Sequence, residues 1–138
     1  MLEYHKPLPY IHEQTQTFWE GTKKHELRIP KCEECNRFFF YPRSICPYCF
    51  SDEIKWVKVS GRGKIYSFTI SHRAPSPAFK GDIPFNIAII ELDEGIRMLS
   101  NIIECSNDDL AINMPVEVVF DDVTAEITLP KFRLRLTE

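Results

Sequence analysis

The sequence predicts a mostly β protein in two units, a metal-stapled ribbon followed by a small five-stranded barrel, with a short helical segment in front. Three observations carry this. Two CxxC pairs, Cys32/Cys35 and Cys46/Cys49, stand ten residues apart. From residue 54 onward, β-rich runs alternate with turn signals. Between Tyr10 and Trp19, by contrast, Ile11, Thr15, Phe18 and Trp19 recur at helical spacing and share one face.

Composition bounds the answer first. A length of 138 residues allows one ordinary domain or two small ones. A hydrophobic share of 43% beside 27% charged residues fits a soluble globular chain and argues against disorder or a membrane-embedded protein. Seventeen Lys and Arg against twenty Asp and Glu leave a formal charge of -3, so no chain-wide positive field exists to hold nucleic acid. No apolar run approaches the roughly 20 residues of a membrane span. The opening MLEYHKPLPYIHEQ has acidic residues and prolines where a secretory leader needs an apolar core, so the expected compartment is cytoplasmic.

Taken in order, residues 1–26 form the helical segment, starting with an irregular arm around Pro7 and Pro9; Gly21 is a plausible stop, and residues 22–28 have room for a second short helix. Residues 27–53 are the ribbon, too small to be stable on hydrophobic burial alone. Residues 54–138 are the barrel. Its first run, Lys55 to Arg73, is interrupted by Gly61 and Gly63 and reads as one strand bent at glycines or two short strands at a corner. The stretch from Arg73 to Pro84 is a long, proline-rich loop, a kind that is often functional. Phe85–Leu92 and Ile96–Glu104 flank Asp93-Glu94-Gly95 as a hairpin. One helical turn after Ser106, then runs at Val116–Phe120 and Ile127–Leu136, complete the chain. Five β segments in so short a length point to an OB-fold barrel, since a β-sandwich needs about seven.

The cysteines carry the clearest chemistry. Cys32, Cys35, Cys46 and Cys49 offer four thiolates on two knuckles, the soft tetrahedral donor set that zinc prefers. Four protein ligands leave no open position for water or substrate, so the zinc is expected to be structural. His5, His12, His25 and His72 have no ligand-like spacing, and Cys105 follows an apolar pair as a buried thiol would. Between the knuckles, Phe38, Phe39, Phe40 and Tyr41 run consecutively, so an extended backbone projects aromatics from both faces; part of this run is expected to meet a partner protein. No catalytic constellation is found. Ser71 and His72 are adjacent and point to opposite sides of a strand, and Glu91, Asp93 and Glu94 fit a solvated turn.

Phe18-Trp19-Glu20, the approach from Leu27 to the first knuckle, Tyr41-Pro42-Arg43 before Cys46-Pro47-x-Cys49, the run Gly63 to Thr69 and the hairpin Ile87 to Arg97 together resemble a known family. It is the family of two-domain zinc-ribbon and OB-fold proteins associated with thiolases and other acyl-CoA enzymes. The resemblance spans nearly the whole chain in order, and its most specific parts are the PR-x2-CP-x-C and ELDEG stretches. It implies a rubredoxin-like ribbon and a C-terminal barrel acting as a non-catalytic binding or scaffold subunit. Thiolase, and in archaeal relatives hydroxymethylglutaryl-CoA synthase, are the implied partners, with acetoacetyl-CoA handling as the implied setting.

Coenzyme A (CoA) or an acyl-CoA is then the expected ligand beside zinc. Its phosphates call for cations and its arm for an apolar slot. Arg62 and Lys64 at the glycine bend, with Arg73 and Lys80 on the long loop, are the leading candidates at the barrel mouth; Arg43 is a further cation in the ribbon, and Phe79 and Phe85 are candidates for the slot. The competing reading is an OB-fold binder of single-stranded nucleic acid, which the negative net charge disfavours.

Overall fold

The computed structural model describes residues 6–135. His5 and Leu136, the latter the expected end of the last strand, lie outside the described residues.

The helix, α1, is Gln16–Lys23 and begins six residues later than the apolar spacing suggests. The cause is local: His12 N–H donates to Thr15 Oγ1 and Thr15 N–H to His12 O, both at 3.0 Å, and this turn precedes the helix. Of the expected face, Thr15, Phe18 and Trp19 are buried, Thr15 as the residue that precedes the helix, while Ile11 stays exposed. Gly21 lies inside α1 rather than ending it, and its role there is close approach: the Arg28 side chain crosses it so that a Cβ would sit 2.8 Å from Arg28 Cδ. Residues 24–27 hold no second helix. Lys24 and Glu26 both donate to Gly21 O, and the chain turns at His25 into a strand.

That strand, β1 (Arg28–Cys32), pairs antiparallel with β2 (Ile54–Lys58), from Arg28 opposite Lys58 to Cys32 opposite Ile54. The run expected to open the barrel is thus two strands in two different sheets. β2 belongs to the ribbon, and the barrel begins with β3 (Arg62–Ser71) after the corner at Gly61, whose φ is +76°. Gly63 is required by close approach: a Cβ there would lie 2.3 Å from the Glu91 carbonyl oxygen across the ladder.

The hairpin forms as expected, with β4 (Phe85–Leu92) paired to β5 (Arg97–Ser100). β6 (Ile102–Ile103), β7 (Pro115–Asp122) and β8 (Thr128–Leu134) complete a sheet in the order β5-β4-β3-β7-β8-β6. β5 and β6 are two halves of one strand broken at Asn101. The first half pairs with β4 and the second runs parallel to β8, which closes the ring and reduces the count to the five strands of an OB-fold.

Alternation sets the interior. Asn86, Ala88, Ile90 and Leu92 of β4 are all buried, and they meet Ile65, Met98, Ile102, Val116 and Phe132. Phe18, Trp19, Leu27 and Ile29 join the same cluster, so α1 and the base of the ribbon are packed on the barrel. No helix among the described residues is long and apolar enough to cross a membrane.

Candidate functional site

The two knuckles share one local design. The residue four past the first cysteine of each pair, Asn36 or Phe50, has a positive φ of about 60° and donates its N–H to that cysteine's carbonyl, Cys32 O at 3.0 Å or Cys46 O at 2.9 Å. This curls the chain so that both sulfurs of a pair face the same point. Backbone N–H groups also reach the sulfurs, Cys35 to Cys32 Sγ at 3.5 Å and Tyr48 to Cys46 Sγ at 3.4 Å, which favours thiolate.

All four sulfurs lie within 4.8 Å of one another, with Cys32–Cys49 at 3.5 Å and Cys35–Cys46 at 3.6 Å. A tetrahedral zinc with bonds of about 2.3 Å sets its sulfurs roughly 3.8 Å apart, so the donor set fits that ion. The thiols also show the conflict of like groups in one small volume. Burial works against ionisation of Cys46, but the N–H groups of Cys49 and Tyr48 outweigh it and lower this thiol to about 7. At Cys49 the Ser51 N–H favours thiolate; sharing the site with Cys32, together with burial and the other two thiols, overrides it and pushes the group up to about 12. A divalent cation removes that conflict by stabilising all four as thiolates.

The aromatic run divides. Phe39 is 2% exposed and packs against Cys32 and Cys46, while Phe38 and half-buried Phe40 lean on the main core, Phe40 with its ring 5.5 Å from Phe18. Tyr41 alone stays open, at 48% exposure. Further exposed apolar residues of the ribbon were not foreseen: Ile45 before the second knuckle, Tyr48 within it and Phe50, 79% exposed, directly after it. The positive φ forced on Phe50 by the knuckle is the signal that a sequence reading can use for such outward projection.

The four candidate cations are not brought together. Arg62 and Lys64 sit at the first end of β3, with Lys64 3.7 Å from Glu91; Arg73 and Lys80 lie beyond its last residue, Ser71. Seven residues of strand, Ile65 to Ser71, lie between the pairs and span roughly 23 Å. At the Arg73/Lys80 end a cleft of about 580 Å³ opens between the long loop, β4, β5 and β8. Phe79 and Phe85 both line it, as expected of slot residues, with their rings 5.8 Å apart. Its own cations, Lys6 and Lys131, were not anticipated, and each faces a carboxylate, Lys6 with Asp82 and Lys131 with Asp121 at 2.7 Å.

Asn86 was also missed. From the inward side of β4 it donates to Ile102 O at 2.8 Å and accepts from Ile102 N–H at 2.7 Å, clasping β4 to β6. An asparagine at the parity of Ala88, Ile90 and Leu92 was the available signal.

Other residues have structural partners. Ser71 Oγ donates to Arg73 O, Glu94 accepts from Ser60 N–H, and Glu91 lies between Lys64 and Arg97. Arg43, His12 and His72 are exposed, and His25 lies 3.1 Å from Asp122. Burial, followed by the charge of Asp109, pushes the Cys105 thiol up, which opposes its use as a nucleophile.

Comparison with known proteins agrees with both units. The model of the ChsH2 rubredoxin-like zinc ribbon domain matches residues 19–55, and that of the ChsH2 C-terminal OB-fold domain matches residues 56–121. The chain is 34% identical over 128 residues to a probable enoyl-CoA hydratase alpha subunit of Thermomonospora curvata, which takes in 93% of this chain and 40% of that protein's length. It is 42% identical over 104 residues to a DUF35 domain-containing scaffold protein of Methanocaldococcus jannaschii, 74% of this chain and 73% of the relative. Benzoylsuccinyl-CoA thiolase subunit BbsA of Thauera aromatica is 32% identical over 80 residues, 55% and 51% of the two chains. Among solved structures, a chain of the Ltp2-ChsH2(DUF35) aldolase superposes with a TM-score of 0.82 at 33% identity, covering 92% of this chain and 98% of that one.

Proposed function

The chain belongs to the DUF35 family of ChsH2-type zinc-ribbon and OB-fold proteins, and from that premise we propose that it is a non-catalytic scaffold subunit of a thiolase- or aldolase-type complex acting on acyl-CoA. One observation carries the reading: the chain matches almost the full length of a chain of the Ltp2-ChsH2(DUF35) aldolase. A four-sulfur donor set that closes its own shell supports an organising metal rather than a reacting one.

In its finer form the reading takes thiolase, with hydroxymethylglutaryl-CoA synthase as second partner, in cytoplasmic acetoacetyl-CoA metabolism. The partner-facing surface is then the exposed ribbon rim of Tyr41, Ile45, Tyr48 and Phe50, since Phe38, Phe39 and Phe40 are engaged in packing. None of the four cations lines the cleft; Lys80, between the lining residues Phe79 and Asp82, and Arg73, two residues beyond the end of β3, are the nearest to it along the chain and are assigned to CoA phosphates.

Purification of the native protein from its source cells, with identification of what accompanies it, tests this. A thiolase-type enzyme is expected, and nucleic acid in its place would favour the OB-fold alternative. Phe50→Asp should abolish co-purification with an unchanged melting temperature, because this side chain has little of its surface buried.

A further inference from the structure

Among the described residues β5 has a strand partner on one side only. Leu92 N–H donates to Ile96 O at 2.8 Å, and hydrogen-bonded pairs alternate along an antiparallel ladder. Met98 and Ser100 therefore turn their backbone groups to β4, whereas the N–H and C=O of Arg97 and Leu99 point away from it.

The strand across the seam cannot take them up. By the same alternation, counted from Arg135 N–H on Pro115 O, the seam-facing groups of β8 are those of Thr128, Pro130 and Phe132. Phe132 N–H is spent on Asn101 O at 2.9 Å. Pro130 has no N–H, and its carbonyl already accepts Ser100 Oγ at 2.9 Å. Thr128 is buried, leaving the ladder open beside Leu99.

This seam opens into the 580 Å³ cleft, whose apolar surface comes from Phe79, Phe85, Ile87, Leu99 and Leu129. Leu99 is 65% exposed, although it lies in the middle of a paired strand segment. At the loop end, Arg73 and Lys80 form no ion pair among the described residues, while Lys6 and Lys131 are matched by Asp82 and Asp121. The groove thus combines, among the described residues, an unpaired strand edge and an apolar slot, with the exposed cation Lys80 between the lining residues Phe79 and Asp82.

We propose that the seam binds the pantetheine arm of a CoA thioester as a strand-like addition to β5, its amides pairing with the backbone of Leu99 and its anionic end turned to Arg73 and Lys80. This rests on the acyl-CoA reading above. An added strand gains its hydrogen bonds from an edge and its selectivity from flanking pockets, and the arm supplies the linear, amide-bearing chain that such an edge takes. A cation at Lys80, flanked in the chain by the lining residues Phe79 and Asp82, favours an anionic ligand over a neutral peptide strand from a partner enzyme.

Residue-resolved amide hydrogen exchange on the full chain, with and without saturating CoA, tests it. The Leu99 amide should slow about tenfold on addition of CoA, while Met98 and Ser100, already bonded to β4, keep their rates. The nucleotide portion alone, 3′-phosphoadenosine 5′-diphosphate, should leave Leu99 unchanged. Leu99→Pro removes the outward N–H without touching a β4 bond, and should bind CoA about three- to tenfold more weakly than Leu99→Ala, which keeps that N–H. Unchanged exchange at Leu99 under saturating CoA overturns the proposal. Protection that appears only with a partner enzyme, and not with CoA, assigns the edge to a peptide strand and equally overturns it. Co-purification with a thiolase does not depend on this edge, so failure here with intact co-purification leaves the scaffold reading standing.

Discussion

The ribbon buries Cys32, Phe39 and Cys46 around four sulfurs, whereas the barrel buries a contiguous cluster from Ile65 to Phe132 behind a ring of strands. The ribbon's sulfur cluster is too small to hold without a metal, and the barrel's core needs none. The two are nevertheless not independent bodies, because Leu27 and Ile29, at the base of the ribbon, belong to the barrel's cluster. The division between metal-held and packing-held structure therefore falls between the knuckles and the base of the β1–β2 hairpin, rather than at the end of the cysteine block.

Zinc removal should give the largest effect and tests that division most directly. Chelation or Cys32→Ser should forfeit on the order of 10 kcal/mol of local folding free energy and melt the knuckles, while the barrel amides keep their exchange protection. Simultaneous loss of the barrel signal would erase the distinction. Next come the two cores probed singly. Phe39→Ala should cost about 3–5 kcal/mol, read as early unfolding of the ribbon in denaturant. Asn86→Ala should cost about 1–3 kcal/mol for each Ile102 backbone group left unpaired, read in the barrel. Equal unfolding of both regions in either variant would mean that they melt as one.

Smaller effects separate the two ends of β3. Arg73→Ala or Lys80→Ala should weaken CoA binding by about 1.5–3 kcal/mol in calorimetry, and Arg62→Ala or Lys64→Ala should leave it unchanged. The reverse result would move the ligand to the glycine bend, close to the ribbon. The smallest effect concerns the bridge between the turn after α1 and the barrel. Hydrogen bonds from Thr128 and then His25 hold the Asp122 carboxyl below the usual carboxylate range, and His25 stacks on Phe120 at 5.1 Å. A group lowered in the folded state stabilises above its unfolded value of about 4, and that contribution is lost as pH falls through the lowered value. The stability gap between wild type and Asp122→Asn should accordingly be present at neutral pH and close in acid. A gap that persists below pH 2 would exclude titration of Asp122 as its source.

Several features were legible because they are short-range. The ligand cysteines follow from a two-residue spacing that lets neighbouring sulfurs share an ion, and the β4–β5 hairpin follows from alternation broken at Asp93-Glu94-Gly95. The alternation also marks Ala88, Ile90 and Leu92 as inward. Other readings failed where two segments compete for one partner. Ile54–Lys58 looks like the first barrel strand in every local respect, and its pairing with Arg28–Cys32 depends on residues more than twenty positions away. The helix start was misplaced because a reciprocal backbone and side-chain turn at His12 and Thr15 takes precedence over the apolar spacing.

The sequence by itself determined the four-sulfur donor set, the strand parity and the glycine corner, since each is set by covalent spacing or by backbone sterics within a few residues. Only the tertiary structure decided that Phe39 is core while Phe50 is surface, that Arg62 opens β3 while Lys80 lies in the loop beyond its far end, and that β5 has no second strand partner among the described residues. Those outcomes depend on which distant segments pack together. Period and propensity tell a side chain which face of its own strand it occupies, but carry no information about what that face will meet.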